Sequence, residues 1–476
     1  MDEKTISEII SYHLIEMRMK SVQPKVKKLA AEFLADTFSC MMAGAIEKPP
    51  RIVMEYACSV GGRQEATVMG TGGMKADVYH CAMVNGTAAH FHDYDDVCTT
   101  MIGHPSVAVL PAVLAVGESM GASGNTVLEA YITGIETCAL MGRAFVPEHC
   151  RRGWHSTSSL GVFGATAAVA QLLELNEEQL VNALGIAASE SCGLKGNTGT
   201  MTKPLHAGRA AAKGIMAAKL AKGGLTANHS ILEMDAGFIK VTTEAFHKRE
   251  LLDAMESNNS EFLNVGLLMK PWPACKATHN GIWAMLQLIK KYGILPQDIL
   301  HISCRVLPYA KDILRYSIVK TPTEGKFSMN YCIALIALRG RLTIDDFEGD
   351  RVDDSRVIDM MGRIDMVIDD TLIPGMYFHH LESTVVEVTL KDGRVLSERC
   401  DYAKGGPGNP MIRTEMEEKW EDCMARAIKP QSVNKVIGIL NRIDKLNDIR
   451  ILVNTVEEAV LDKYIMQKEE MRNETI

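Results

Sequence analysis

The chain has 476 residues, a formal net charge of −8, 47% hydrophobic residues and 23% charged residues. This length is enough for two or three domains with a large buried core. Because there is no long run of Lys and Arg, we expect no nucleic acid among the partners. We also expect no membrane insertion, since no apolar stretch is long and charge-free enough to span a bilayer.

The twelve cysteines are scattered among apolar residues without a CxxC pair. This distribution is typical of reduced thiols in a cytosolic protein. The first residues, MDEKTISEIISYHL, are acidic and amphipathic and do not resemble a signal peptide. Both features predict a cytoplasmic location.

The first part of the chain, residues 1–268, has the hydrophobic spacing of successive helices. PKVKKLAAEFLADTFSCMMAGA begins with Pro24 and has apolar residues at steps of three and four. NTVLEAYITGIETCALMGRAF repeats this spacing, and NEEQLVNALGIAASE has Asn176 as a candidate N-cap. Three further predicted helices, near 104–120, 158–174 and 204–222, have small and apolar residues on all sides. This composition indicates close helix–helix contact in a buried layer. We therefore predict an all-α domain here.

The pattern changes in residues 269–403. HISCRVLP and STVVEVTLKDGRVLSERC alternate polar and β-branched residues, as β-strands do. Asp392 and Gly393 divide the second stretch into a hairpin, because Asp-Gly suits the positive φ angles of a tight turn. KFSMNYCIALIAL and DSRVIDMMGRI, which lie between them, have helical spacing. These residues predict a smaller α+β domain.

The stretch KGGPGNP, residues 404–410, breaks the secondary structure with Gly and Pro. Helical spacing returns in EEKWEDCMARAI, SVNKVIGILNRI and VNTVEEAVLDKYI. The simplest architecture is mainly α. A large all-α domain, residues 1–268, is interrupted by an α+β domain, residues 269–403. C-terminal helices in residues 404–476 then return to the helical domain.

The stretch AAHFHDYDDV, residues 88–97, puts two histidines and three aspartates in an apolar context. If the preceding helix continues, His90 shares a face with Asp93, and His92 shares a face with Asp95. A polar helix end, a metal site and an acid–base site all fit this pattern. Metal is the weakest of these because the sequence lacks an i, i+4 His pair or a second ligand cluster.

Basic side chains stand where helices are predicted to begin. His104 begins one helix in GHPSVAVLPA, and in GWHSTSS, His155 is followed by Ser156 and further hydroxyl residues. Lys203 lies at the predicted helix start in TKPLHAGRAA, with His206 one turn later. The charge of Lys203 opposes the helix dipole unless an anion lies nearby. Since helix N-termini bind anions, these positions predict carboxylate binding.

The α+β part contains similar residues. Lys276 and His279 lie at another predicted helix start in KPWPACKATH, and Lys326 and Tyr331 lie in KFSMNYCIA. Each alone fits a structural role, but together these groups predict a site that holds carboxylates and transfers protons. The chain lacks a P-loop, a GxSxG elbow and a GxGxxG after a strand. Because metal-ligand spacing and phosphate-binding loops are both missing, we expect neither a metal nor an organic cofactor.

The chain strongly resembles the MmgE/PrpD superfamily over nearly its whole length. The resemblance is carried, in order, by HFHDYDD, GHPSVAVLPA, GWHSTS, TKPLHAGRAA, KPWPACKATH, KFSMNYCIA and GGPGNP. This superfamily includes 2-methylcitrate dehydratases, cis-aconitate decarboxylases and iminodisuccinate epimerases. The resemblance implies a helical domain with an α+β lid, an active site between them, and a homodimer.

The site pattern of decarboxylase-like members implies six catalytic residues in this chain: Asp93, His104, His155, Lys203, His279 and Tyr331. The residues expected to bind substrate are Lys203, His206, Ser156, Lys276 and Lys326. Decarboxylase-like members have Thr where this chain has Val97. Dehydratases follow HPS with Asp-Asn, whereas VAVLPA follows in this sequence.

These features predict a cofactor-independent lyase for a small di- or tricarboxylate, acting by proton transfer next to a carboxylate. Dehydration and decarboxylation both fit this chemistry. A dicarboxylate epimerase is an alternative because it uses the same proton step. A non-catalytic carboxylate-binding protein is an alternative of another class.

Overall fold

A computed structural model describes residues 4–257, 259–264, 266–372, 383–406 and 408–465. The N-terminal part is mainly helical. Its helices are α1 (Ile6–Met19), α2 (Pro24–Ala45), α3 (Lys48–Val60), α4 (Val78–Phe91), α5 (Ser106–Met120), α6 (Gly124–Phe145), α7 (Glu148–Arg151), α8 (Ser156–Ser159), α9 (Gly161–Leu172), α10 (Glu177–Glu190), α11 (Thr202–Lys222), α12 (Phe238–Thr242) and α13 (Lys248–Ser257).

Local sequence explains several of these bounds. Pro24 is the first residue of α2, where a missing N–H costs nothing. The side chain of Asn176 accepts from the backbone N–H of Gln179, which forms a capping box at the start of α10. The helices predicted at these two places are confirmed.

The same part also contains two short antiparallel strand pairs, so the prediction that it is all-α is wrong in detail. Strand β1 (Ala66–Thr67) pairs with β2 (Lys75–Ala76). Strand β3 (Val97–Cys98) pairs with β4 (Leu267–Leu268). The second pair joins the segment after α4 to the segment where the chain leaves the helical part.

The part that follows combines helices with a four-stranded sheet. Its helices are α14 (Lys276–Tyr292), α15 (Pro308–Ile313), α16 (Pro322–Gly325), α17 (Met329–Arg339) and α18 (Ser355–Met361). Its strands are β5 (Ile299–Val306), β6 (Ile364–Ile368), β7 (Thr384–Leu390) and β8 (Val395–Cys400), in the order β6-β5-β7-β8. Strands β5 and β6 are parallel, and the other pairs are antiparallel.

Strands β7 and β8 form the predicted hairpin, and Gly393 has a φ of +89° in its turn. The prediction for DSRVIDMMGRI is only half right. Helix α18 ends at Met361, and Ile364 already belongs to β6. The pairing of β6 with β5 is not visible in the local spacing, because the two strands are far apart in the chain.

The chain ends in three further helices, α19 (Arg413–Ala425), α20 (Pro430–Leu440) and α21 (Arg450–Glu457). Their buried residues, including Trp420, Val436 and Val453, belong to the same hydrophobic core as Phe38 and Tyr131 of the N-terminal part. A second core lies in the α+β part and includes Met285, Ile302, Leu335 and Val386. The division at 268/269 and 403/404 stays a prediction, which this grouping of the core supports. Pro407, within the GGPGNP break, lies outside the described residues.

Within the described ranges, no single helix is long and apolar enough to cross a membrane. Helices α2 and α3 meet the criteria of length and composition only as a pair, with a bend of 80° between them.

Helices α4 and α11 lie against each other in the middle of the first core. A Cβ atom added at Gly86 would lie 2.7 Å from the Cα of Gly208, so glycine allows the two backbones to approach closely. One turn further, His90 near the end of α4 contacts Lys203 at the start of α11. The helices are therefore antiparallel, and the end of α4 and the start of α11 lie at one place.

We expect Gly86→Ala to lower the free energy of unfolding by about 1–3 kcal/mol, because the added methyl group must push two backbones apart. Urea denaturation measures this change. Gly438→Ala is the matched control, since no atom lies within 4 Å of its added Cβ on α20. We expect the control to be neutral or stabilising by up to about 1 kcal/mol. Equal effects of the two substitutions would contradict the close approach of α4 and α11.

Candidate active site

The segment after α4 leaves the helix at once. Helix α4 ends at Phe91, and Asp93 has a φ of +53°, in the left-handed region. This conformation costs a residue with a Cβ about 1–2 kcal/mol. The expectation that His92 and Asp95 share a helix face is therefore wrong. The ring of His92 lies instead near the carbonyl of Ala43, 3.4 Å from its Nε2.

Asp93 is held by two lysines. The buried Lys270 Nζ donates to the backbone carbonyl of Asp93 at 2.7 Å and to its Oδ1 at 2.6 Å. The Nζ of Lys203 lies 3.4 Å from its Oδ2. The double contact from Lys270 fixes both the carboxylate and the strained backbone of Asp93.

These contacts favour the charged forms of Asp93 and Lys270. Burial would raise the pKa of Asp93, but Lys203 and Lys270 outweigh it and hold that pKa well below its ordinary value. Burial would lower the pKa of Lys270, but Asp93 and Asp95 raise it above its ordinary value. Asp93 is therefore a carboxylate and Lys270 an ammonium ion at neutral pH.

Lys203 is the second residue of α11, as its sequence position predicted. Its charge opposes the helix dipole there, so that a nearby anion is needed to stabilise it. The structure supplies that anion within the protein, because Asp93 lies 3.4 Å away. The position of Lys203 alone is thus not an argument for a bound ligand.

Asp95 is fully buried and faces two imidazoles. Its Oδ1 lies 3.0 Å from Nδ1 of His90, and its Oδ2 lies 2.8 Å from Nδ1 of His104. The Nε2 of His90 lies 2.8 Å from the Nζ of Lys203. Since an ammonium group only donates, this Nε2 accepts, and the ring proton of His90 is on Nδ1.

The three histidines of this cluster are neutral at neutral pH. Burial, only partly offset by Asp95, lowers the pKa of His90 to about 3. Burial likewise lowers the pKa of His104, although Asp95 counteracts it. Burial and the charge of Lys203 hold the pKa of His155 well below its ordinary value. Each ring therefore offers a lone pair as well as an N–H group.

His155 is the N-cap residue of α8, at the helix start that its sequence position predicted. Its Nδ1 lies 3.1 Å from Nδ1 of His206, so one of these rings donates a hydrogen bond to the other. Its ring stacks on His90, with a centroid distance of 6.0 Å. Burial, together with Lys203 and Arg209, lowers the pKa of His206 to about 4. His206 thus orients His155.

A cavity lies between the helical part and the α+β part and is lined by both. Three long helices begin at it: α5 just after His104, α11 just before Lys203, and α14 at Lys276. The predicted site residues on its wall are Asp93, His104, His155, Ser156, Lys203 and Lys276. These six predicted residues, which are far apart in the sequence, therefore surround one space.

The wall of this cavity carries more positive than negative charge. Lys195, Lys203 and Lys276 line it, against Asp93 and Asp401. Both carboxylates already have cationic partners, because Asp93 binds Lys270 and Asp401 accepts from Arg399 at 2.9 Å. The N-termini of α5, α11 and α14 add partial positive charge. Such a wall suits a ligand with more than one carboxylate.

Four predicted residues do not line the cavity. Tyr331 is fully buried in the second core, and its hydroxyl donates to the carbonyl of Asp346 at 2.6 Å, as a structural tyrosine would. Lys326 donates to the carbonyl of Phe91 at 3.0 Å, and burial lowers its pKa to about 8. The third, His206, reaches the cavity only through His155.

His279 is the fourth predicted residue that does not line the cavity. It is fully buried beside Trp272, with a ring centroid distance of 5.2 Å. Its Nε2 lies 3.1 Å from the carbonyl of Ala274 and therefore carries the proton. Its Nδ1 has no hydrogen-bond partner among the described residues. Burial and the neighbouring lysines hold its pKa well below the ordinary value. A catalytic role for His279 stays a prediction.

The residues predicted to be catalytic or to bind substrate did not include three central residues of the site: Lys270, His90 and Asp95. The last two belong to the stretch of residues 88–97 that the sequence singled out as a candidate acid–base site. In the sequence, Lys270 is only one of several lysines near a helix start. Its partner Asp93 is 177 residues away, and no local pattern indicates that contact. The available signal was a lysine in the apolar stretch LLMKPWP, since a buried lysine needs an anion.

By distance alone, this cluster resembles a metal site. Ligand atoms of His90, Asp93, Asp95 and His104 all lie within 4.8 Å of one another. The ammonium group of Lys270 is already bound to Asp93, however, and the N–H groups on Nδ1 of His90 and His104 lie against Asp95. A divalent cation would have to displace these donors, and the positive charge of the Lys270 ammonium group would repel it. The expectation of a metal-free site stays a prediction.

Comparison with known proteins agrees with the resemblance carried by the seven motifs. Residues 8–250 match the model of the MmgE/PrpD N-terminal domain, and residues 272–445 match that of the C-terminal domain. The chain therefore belongs to the MmgE/PrpD family.

Several curated relatives are lyases. The chain is 26% identical over 463 residues to cis-aconitate decarboxylase of Homo sapiens, which covers 95% of both chains. It is 23% identical over 460 residues to cis-aconitate decarboxylase of Aspergillus terreus, covering 90% of this chain and 91% of the relative. It is 24% identical over 415 residues to 2-methylcitrate dehydratase of Cupriavidus necator, covering 82% of both chains.

We expect Lys270→Met to lower the free energy of unfolding by about 3–5 kcal/mol, because it removes the closest partner of a buried carboxylate. Adding Asp93→Asn to this variant should recover part of the loss, since no unpaired charge is then left. Chemical denaturation of the four proteins of this double-mutant cycle measures the coupling.

Lys429→Met is the control for this cycle, because Lys429 pairs with the exposed Asp462 at the surface. Its expected cost is below about 1 kcal/mol. If Lys270→Met cost no more than this control, Lys270 would not be the main support of Asp93.

Proposed function

We propose that this protein is a lyase that binds a small di- or tricarboxylate in the cavity and transfers a proton at a carbon next to a carboxylate. The observation that carries the proposal is the meeting of Lys203 with neutral His104 and His155 on one cavity wall. We favour decarboxylation of cis-aconitate, because the human relative of that name aligns over 95% of the chain.

Substrate carboxylates bind to the positively charged part of the wall. Lys203, Lys276 and Lys195 reach the cavity from three different segments. The N-terminus of α14, with Lys276 as its first residue, offers backbone N–H groups to an anion. These donors stabilise a substrate carboxylate most when negative charge spreads onto it from the reacting carbon.

A bound anion also changes the protonation of the histidines. In the free protein His104 and His155 are neutral, because burial and nearby lysines disfavour their charged forms. A carboxylate within about 4–6 Å favours the charged form and raises a histidine pKa. Substrate binding thus prepares a histidine to take up a proton and pass it to carbon.

The chemistry of cis-aconitate fits these groups. Its carboxymethyl group loses CO₂, the electron pair of the broken C–C bond forms a new C=C bond, and the old double bond shifts its electrons to the far carbon. That carbon lies next to another carboxylate, which Lys203 stabilises. It then accepts a proton from the imidazolium of His104 or His155, and the product is an unsaturated dicarboxylate.

Dehydration is the second candidate, favoured by the relative named 2-methylcitrate dehydratase. In this reaction a neutral imidazole removes the proton next to a carboxylate, and the β-hydroxyl group leaves as water after protonation. Val97 bears on this choice because its apolar side chain lines the cavity where decarboxylase-like members have Thr. The same proton step without a leaving group would give an epimerase.

We further propose that residues 269–403 act as a lid over the helical part, in a homodimer located in the cytoplasm. The proposed lid contacts the site segment directly: the hydroxyl of Tyr94 donates to the carbonyl of Pro271 at 3.1 Å, and Lys326 donates to Phe91. Both contacts lie beside Asp93. Movement of the lid would therefore be transmitted to the acid–base cluster.

Turnover of a panel of acids in D₂O, followed by NMR, tests the reaction. The panel contains cis-aconitate, 2-methylcitrate and aspartate-derived dicarboxylates. We expect CO₂ release from cis-aconitate, with one carbon-bound deuterium in the product, and no loss of rate with a chelator. Water loss or exchange without a product would identify a dehydratase or an epimerase. No turnover and no exchange with any acid would favour a binding protein.

We expect Lys203→Ala to lower kcat/KM by about two to three decades, because a charged contact in a closed site contributes about 2–4 kcal/mol to the transition state. The fold should persist, since Lys270 still pairs with Asp93. Steady-state kinetics and thermal unfolding are measured together. Lys213→Ala on the same helix is the control, because Lys213 pairs with Glu190 outside the cavity wall. Equal rates for the two variants would remove Lys203 from the mechanism.

A further inference from the structure

We infer that Asp95 is a positioning residue: its carboxylate holds His90 and His104 with their protons on Nδ1, so that one ring supports Lys203 and the other presents its Nε2 lone pair to the reaction. This inference deepens the proposed function and rests on it. Asp95 does not line the cavity, so it acts only through these neighbours.

The proton on His104 is located by its acceptors. Its Nδ1 lies 2.8 Å from the Oδ2 of Asp95 and 2.8 Å from the backbone carbonyl of Asp96. Both atoms only accept hydrogen bonds, so this nitrogen must carry the proton. The Nε2 of neutral His104 is therefore a lone pair, 3.6 Å from the Oδ1 of Asp93.

The same carboxylate determines what His90 does. Both oxygens of Asp95 lie near Nδ1 of His90, at 3.0 and 3.1 Å. The opposite nitrogen then accepts from Lys203 at 2.8 Å. If the proton moved to Nε2, two donors would face each other, and Lys203 would lose this partner. Asp95 thus keeps both Lys203, through His90, and the ring of His104 in place.

Charges on several elements surround His104. His104 faces His90 near the end of α4, and it faces Asp93 and Asp95 in the segment that follows α4. Lys203 approaches it from α11, and Lys270 approaches it from the segment after β4. The lysines disfavour its charged form, and Asp95 opposes them directly at Nδ1. Removing the charge of Asp95 should therefore make His104 a weaker base without changing the cavity wall.

The first test is Asp95→Asn, which keeps the shape but removes the charge. We expect kcat to fall about 10²–10³-fold with KM within a few-fold, since an aspartate that orients a catalytic histidine typically contributes at least this much. The limb of the kcat/KM profile that reports His104 should move to lower pH. A purely structural defect would lower activity without moving that limb.

Asp96→Asn is the matched control. Asp96 is equally buried and adjacent, its Oδ2 accepts from Ser106, and its side chain touches neither histidine. Its backbone carbonyl, which accepts from His104, stays in place. We expect a small change in kcat and no shift of the limb. Equal profiles for the two variants would overturn the inference.

The second test needs no substrate and separates this inference from the proposed reaction. Nitrogen NMR of histidine-labelled protein, assigned with His90→Gln and His104→Gln, reports the tautomer of each ring. We expect both rings of the unmodified protein to carry the proton on Nδ1. An Nε2–H tautomer of His104 would overturn the inference even if Asp95→Asn did not fold. Absence of turnover with every acid, with both Nδ1–H tautomers present, would instead overturn the proposed function.

Discussion

The carboxylate of Asp93 lies between two buried ammonium groups, and the site is built around this contact. Lys203 approaches from the start of α11, and Lys270 from the segment that follows β4. Removing such ions from water costs several kcal/mol each, which only close pairing can offset. The left-handed backbone of Asp93 adds to the cost, and Lys270 offsets it through its bond to the Asp93 carbonyl. The same contact joins the helical part to the α+β part.

In the proposed reaction, the charge balance of the cluster would let one site bind an anion and also move a proton. Two carboxylates, Asp93 and Asp95, are matched by two ammonium groups, and burial keeps the histidines between them neutral in the absence of a ligand. A substrate that brings further carboxylates disturbs this balance in favour of imidazolium. In the proposed reaction, proton transfer would therefore be coupled to binding by electrostatics, without a requirement for movement of these side chains. The close approach of α4 and α11 at Gly86 and Gly208 holds the end of α4 and the start of α11 next to each other.

Features set by neighbouring residues were predictable from the sequence. The start of α2 at Pro24, the helix start at His155 and the hairpin turn at Gly393 all follow from local rules. The position of Lys203 at its helix start follows from the same rules. Long-range contacts were not predictable in this way. The break at Asp93 depends on Lys270, and strand β6 depends on its parallel partner β5. The family resemblance implied a catalytic role for Tyr331, which stays a prediction, and its hydroxyl donates to the carbonyl of Asp346.

A crystal structure with tricarballylate, a saturated tricarboxylate that cannot decarboxylate by this route, would test the central claim most directly. The account predicts one carboxylate within hydrogen-bond distance of the Nζ of Lys203, and a carbon next to a carboxylate facing the Nε2 of His104 or the ring of His155. Asp93 should keep its contact with Lys270. Binding of the acid outside this cavity, or binding in it with Lys203 and both histidines turned away, would contradict the account.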